Sequence, residues 1–228
     1  MPVRDVVLAI AVVVVAALAF VGDSDASDRL DVAVVGDSFA DQSRTQFLEL
    51  AAREDLSTQY YAYGGSALCG WEDQLRQLSE REPDKLVLSF AGNDLSPCIN
   101  PTGQPRTPEA VAADYRRDLD RVIEMFRPAG TDIYVVEPPP IRDANFEANA
   151  AAMRDMYRDA TTDHPRITVI DPATTLGPDH AFHAALPCQA GEACGPDGTV
   201  VLRQDDGIHL TPAGGGRYAQ AVMEGLER

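Results

Sequence analysis

Hydrophobic positions fall along this chain in two rhythms. Short apolar runs, such as Val32-Ala33-Val34-Val35 and Leu86-Val87-Leu88-Ser89-Phe90-Ala91, alternate with longer stretches where apolar residues recur every three or four positions. A short, nearly unbroken apolar run reads as a strand buried on both faces; recurrence at helical spacing reads as an amphipathic helix. Strands are therefore predicted over residues 31–35, 58–63, 85–91, 132–136 and 167–170, with 200–202 as a short extra strand. Helices are predicted over residues 40–53, 72–80, 108–126 and 145–162. A last helix is marked by Thr211 as N-cap, Pro212 at the first helical position and apolar residues as far as Leu226. Residues 95–107 and 174–199 carry no periodic signal, and no internal repeat is present. Strands alternating with helices imply βαβ units and one parallel sheet. The expected architecture is an α/β fold, a three-layer α/β/α sandwich of about five strands in the order 2-1-3-4-5.

The first 29 residues stand apart from this pattern. Val6 to Val21 is an apolar run of 16 residues behind Arg4, followed by a polar linker from Asp23 to Asp28. As a helix the run would reach about 24 Å, short of a hydrocarbon core of about 30 Å. Residues 1–29 are read as a signal or anchor segment with its linker, and residues 30–228 as one globular domain. Arg4 on the cytoplasmic side would send the domain outward, so the chain is expected to be secreted or held at the membrane by this segment. The four cysteines agree with export, because disulfides persist in oxidising compartments. Of the three possible pairings, Cys69–Cys98 with Cys188–Cys194 is preferred. A zinc site built from His180, His183, Cys188 and Cys194 competes, but its spacing matches no common pattern, and no metal or cofactor is expected. The formal net charge of −17 argues against nucleic acid as a partner.

Candidate chemistry gathers in three short segments: Gly36-Asp37-Ser38-Phe39, Gly92-Asn93-Asp94 and Asp206-Gly207-Ile208-His209. The first two follow buried strands, and in open α/β sheets the strand C-terminal edge is where ligands bind. Ser38 there has an exposed hydroxyl and a backbone N–H at a helix N-terminus, making it a candidate nucleophile and a donor to an oxyanion. Asn93 offers a side-chain amide to the same oxyanion. Gly64-Gly65-Ser66 follows the second strand; Gly65 is the preferred third donor, Gly64 the fallback. His209 is the candidate base, and Asp206 the carboxylate that orients it, with Asp205 as the alternative. Taken singly, each is ordinary: an N-cap serine, a turn asparagine, a glycine turn, a surface histidine. Phe39, Trp71, Leu95 and Ile208 are candidates for an acyl pocket.

Together, in this order, these segments resemble the blocks of the SGNH (GDSL-type) hydrolases over about residues 30–228. Gly36-Asp37-Ser38 matches the nucleophile block, Gly65 the second block, Gly92-Asn93-Asp94 the asparagine block and Asp206-x-x-His209 the last. In the second block the usual preceding asparagine is replaced by Ala62 or Tyr63. The resemblance implies a flavodoxin-like sandwich, no metal, and ester hydrolysis through an acyl-serine. The leading expectation is a short-chain acyl or acetyl esterase acting outside the cytoplasm on a small-molecule or glycan ester. Alternatives are an O-acyltransferase or O-acetyl esterase on cell-envelope glycans, and a non-catalytic envelope-binding module.

Overall fold

The computed structural model describes residues 30–227. The expected signal or anchor segment, residues 1–29, lies outside the described residues, as does any membrane contact it makes. Among the described residues no helix is long and apolar enough to cross a membrane.

Five parallel strands form the central sheet: β1 (Val32–Gly36), β2 (Thr58–Ala62), β3 (Lys85–Ser89), β4 (Asp132–Val136) and β5 (Ile167–Ile170). Their order is β2-β1-β3-β4-β5, the order expected from the alternation of elements. Five main helices connect or follow the strands: α1 (Ser38–Arg53), α2 (Glu72–Ser79), α3 (Pro108–Phe126), α4 (Ala144–Asp163) and, after one-turn helix α5 (Ala173–Leu176), α6 (Pro212–Leu226).

The period-2 geometry of a strand explains the three layers. In β1, Ala33 and Val35 face a core built with Leu75 of α2, Tyr115 and Leu119 of α3 and Met153 and Tyr157 of α4. Val32 and Val34 face the opposite core, with Phe39 and Phe47 of α1 and Tyr218 and Val222 of α6. Each central strand is thus apolar on both faces, which is why it reads as a run and not as an alternation. Edge strand β2 is only partly buried along most of its length.

Several helix starts follow local chemistry. Thr107 caps α3 by accepting from the Ala110 amide, Asp143 caps α4, and Thr211 caps α6 by accepting from Gly214, with Pro108 and Pro212 just inside. Two regions depart from the sequence expectation. A 3₁₀ turn spans Leu68–Trp71. The stretch 174–199 is not wholly irregular: β6 (Ala185–Pro187) pairs antiparallel with β7 (Thr199–Val201), a hairpin outside the main sheet. Cys188 is bonded to Cys194 across this hairpin's loop, and Cys69 to Cys98 between the 3₁₀ turn and the loop after β3, with Cα separations of 5.9 and 6.1 Å. Cys188 and Cys194 are therefore not free to hold zinc, and His183 instead contacts Asp179 at 2.7 Å.

Candidate active site

Ser38 is the first residue of α1, at the C-terminal edge of β1. The sequence leaves open whether it caps the helix; the structure gives that task to Asp37. One carboxylate oxygen of Asp37 accepts the Phe39 amide at 3.1 Å, and the other accepts the Ala91 amide at 2.8 Å. Asp37 thus joins the start of α1 to the segment after β3 and leaves the Ser38 hydroxyl uncommitted. Asp37 is 2% exposed. Burial pushes its carboxyl up to about 6, against the pull of those two amides and of His209.

The segment after β3 is held by side chains from the two helices beneath it. Tyr157 of α4 donates its hydroxyl to the Phe90 carbonyl and Tyr115 of α3 to the Asn93 carbonyl, both at 3.1 Å; Asn149 donates to Gly92 at 3.3 Å. Gly92 has φ +83°, and a Cβ there would meet Met153 Cγ at 2.7 Å, so both backbone and space require glycine. Within this fixed loop Asn93 Oδ1 accepts the Leu95 amide at 3.0 Å. That contact leaves the Nδ2 end free, and it lies 3.6 Å from the position a Cβ would take on Gly65. Gly65 sits at φ +78°. The glycine loop is pinned by Ser66, whose hydroxyl bonds the Gly36 and Tyr63 carbonyls and receives the Trp71 ring N–H at 3.0 Å.

His209 comes from the loop before α6. Its Nδ1 lies 2.6 Å from Asp206 Oδ2, while Asp206 Oδ1 accepts the Ile208 and His209 amides at 2.8 and 3.0 Å. Partial burial opposes ionisation of Asp206, but the Ile208 amide, the His209 ring and the His209 amide outweigh it and bring the carboxyl down to about 2. Asp205, the alternative carboxylate, instead offers its backbone carbonyl to Arg142.

These segments meet in one cleft of about 310 Å³, lined by Ser38, Gly64, Gly65, Asn93, Ile208 and His209 among others. Asp206 stands behind His209. Phe39, Leu95 and Ile208 also line the cleft. Trp71 does not: its ring packs near Tyr61, with its N–H turned to Ser66. His164, His180 and His183 pair with Asp120, Asp171 and Asp179 away from the cleft.

Arg203 carried no signal in the sequence. It is buried, donates to the carbonyls of Ile208 at 2.9 Å and Pro140 at 3.1 Å, and stacks over Phe39 with 5.8 Å to the ring centre. Burial lowers its guanidinium to about 10. It ties the histidine loop to the residue following Ser38. The bracing roles of Asp37, Tyr115, Tyr157 and Asn149 carried no signal either, although Asp37 itself stands in the Gly36-Asp37-Ser38 segment. Only for Asp37, an acid wedged between an apolar strand and a helix, was there a local hint.

A parallel sheet in this order, with serine, asparagine and histidine segments at its C-terminal edge, has the architecture of the GDSL-type (SGNH) hydrolases. Solved structures agree in fold. An acetyl xylan esterase aligns at TM-score 0.59 and 14% identity, over 86% of this chain and 98% of that one. A GDSL-like lipase from Bacteroides thetaiotaomicron aligns at TM-score 0.58 and 11% identity, over 92% and 93%. The C-terminal catalytic domain of the Streptococcus pneumoniae peptidoglycan O-acetyltransferase A, solved with a methylsulfonyl adduct, aligns at TM-score 0.56 and 16% identity, over 87% and 93%. No curated protein matches the sequence. The chain belongs to the family described as "Protein of unknown function (DUF459)", whose model matches residues 31–225.

Proposed function

We propose that this protein is a serine-dependent carboxylic-ester hydrolase acting outside the cytoplasm through an acyl-serine intermediate. The observation that carries this reading is the shared cleft of Ser38, Gly65, Asn93 and His209, with the His209 ring held by Asp206. His209 takes the Ser38 proton as the serine oxygen attacks the ester carbonyl. The Asp206 contact to Nδ1 leaves Nε2 to do this work and steadies the imidazolium that forms. The tetrahedral oxygen accepts from the Ser38 and Gly65 amides and from Asn93 Nδ2; one such donor is worth about 3 kcal/mol in the transition state. His209 then protonates the departing alcohol, and water, activated by the same ring, releases the acid. The two disulfides and the apolar run behind Arg4 support an extracytoplasmic setting.

Ser38→Ala tests the assignment. Esterase turnover on nitrophenyl acetate is expected to fall by roughly 10⁴-fold or more with the unfolding midpoint little changed. Retained turnover would overturn the nucleophile assignment. A second reading, transfer of an acyl group to a cell-envelope glycan, uses the same residues with a sugar hydroxyl in place of water. The fold shared with a peptidoglycan O-acetyltransferase domain favours keeping it. Acetate release compared with transfer to oligosaccharide acceptors separates the two.

A further inference from the structure

A second cavity of about 440 Å³ adjoins the cleft and shares Leu95, Phe146 and Asn149 with it. Its size falls in the range of small-molecule sites. The rest of its wall includes Asp94, Arg106 and Asn145. Leu95 is 74% exposed and Phe146 45%, so two large apolar side chains stand open to solvent where the cavities join. Two of the polar side chains on this wall, Asp94 and Asn145, are uncommitted. Among the described residues the Asp94 carboxylate makes no hydrogen bond or ion pair, nor does the Asn145 side chain, and Asn149 uses only Nδ2. Arg106, the one cation on the wall, is already paired: it bonds Asp114 and donates to the Ile99 and Ala110 carbonyls.

An exposed ring beside free carboxylate and carboxamide groups suits a ligand with apolar C–H faces and several hydroxyls. A carboxylate accepts two hydroxyl donors at once, and an aromatic face covers the apolar side of a sugar ring. A long acyl chain fits poorly, because its methylenes would strip water from Asp94 and give nothing back. An anionic sugar fits poorly too, since the one cation on this wall is already paired with Asp114 and Asp94 repels an anion. We propose that this adjoining cavity is a subsite for a neutral sugar residue carrying the scissile ester, with Asp94 and Asn145 as specificity-determining residues. The cleft then takes a short acyl group and the cavity takes the alcohol half. This rests on the esterase reading for its chemistry but not for its binding.

Two measurements test it. First, neutral oligosaccharides such as xylotetraose are titrated by calorimetry into full-length Ser38→Ala and into its double variants with Asp94→Ala and Asn145→Ala. Binding to Ser38→Ala with at least tenfold weakening in each double variant is expected; no binding, or equal binding in all three, overturns the subsite. Second, kcat/KM is compared on acetylated xylooligosaccharide and nitrophenyl acetate for the wild type, Asp94→Ala and Asn145→Ala. The ratio of sugar ester to nitrophenyl ester is expected to fall at least tenfold, through KM. Equal losses on both substrates, or a nitrophenyl decanoate preference that disappears with Asp94→Ala, overturn it. Sugar binding without any ester hydrolysis by the wild type would sink the esterase reading while the subsite stands.

Discussion

The two carboxylates of the candidate site, one beside Ser38 and one behind His209, live in opposite surroundings. Asp37 is buried, and its oxygens are occupied by amides from two segments far apart in the chain. The Asp206 side chain is 41% exposed, and its oxygens meet only groups within the next three residues. Burial raises the first to about 6; for the second, local N–H donors overcome partial burial and lower it to about 2. The difference separates two duties. Asp37 is wired into the scaffold and sets where Ser38 begins its helix. The Asp206 carboxylate is satisfied within its own turn, and its removal takes no acceptor from the sheet.

The largest expected effect breaks the loop side. His209→Ala should lower esterase kcat by about 10³-fold or more. Its unfolding free energy should change by no more than about 0.5 kcal/mol, because the ring is partly exposed and makes one local contact. Denaturant titration beside the activity assay checks both; a large stability loss would erase the contrast.

Asp37→Ala breaks the scaffold side. Two buried amides lose their acceptor, so a stability loss of about 1–3 kcal/mol is expected at pH 4. The sign of its pH dependence follows from the raised carboxyl. A group that binds its proton more tightly when folded adds stability below its ordinary value of 3.8, and that contribution is lost as pH rises through about 6. The deficit of Asp37→Ala relative to wild type should therefore shrink between pH 4 and pH 7. A deficit that grows over that window would contradict the burial argument.

The smallest effect sharpens the comparison by reversing its sign. Asp206 is depressed, so its contribution is present above 3.8 and lost as pH falls toward about 2. Because the side chain is largely solvated, Asp206→Ala should cost less than about 1 kcal/mol at pH 7. The cost should fade by pH 2.5, measured by urea unfolding at the two pH values. A cost that persists in acid would mean the loop depends on packing and not on the ion.

The readable and unreadable parts of the fold divide along similar lines. β1 and β3 were plain in the sequence because both faces of each are buried, and α6 because Thr211 and Pro212 mark its start locally. Of the β6–β7 hairpin only β7 was read, as a short strand at 200–202; β6 was not, since a three-residue strand carries no period and Ala185–Pro187 owes its form to its partner. Ser38, Asn93 and His209 were legible as residue types after strands or before a helix. Trp71 was misplaced because an aromatic near a glycine turn looks the same whether it faces the cleft or braces Ser66.

Sequence alone determined the order of elements, the double-faced core and the three segments that reach the sheet edge, because periodicity and caps are encoded within a few residues. Tertiary structure decided how those segments are held: Asp37 to Ala91 across 54 positions, Tyr157 to Phe90 across 67, Arg203 to Pro140 across 63. Each is a buried polar group finding its partner. The great majority of such groups are satisfied in folded proteins, but the partner is chosen by proximity in the folded chain, which no local pattern records.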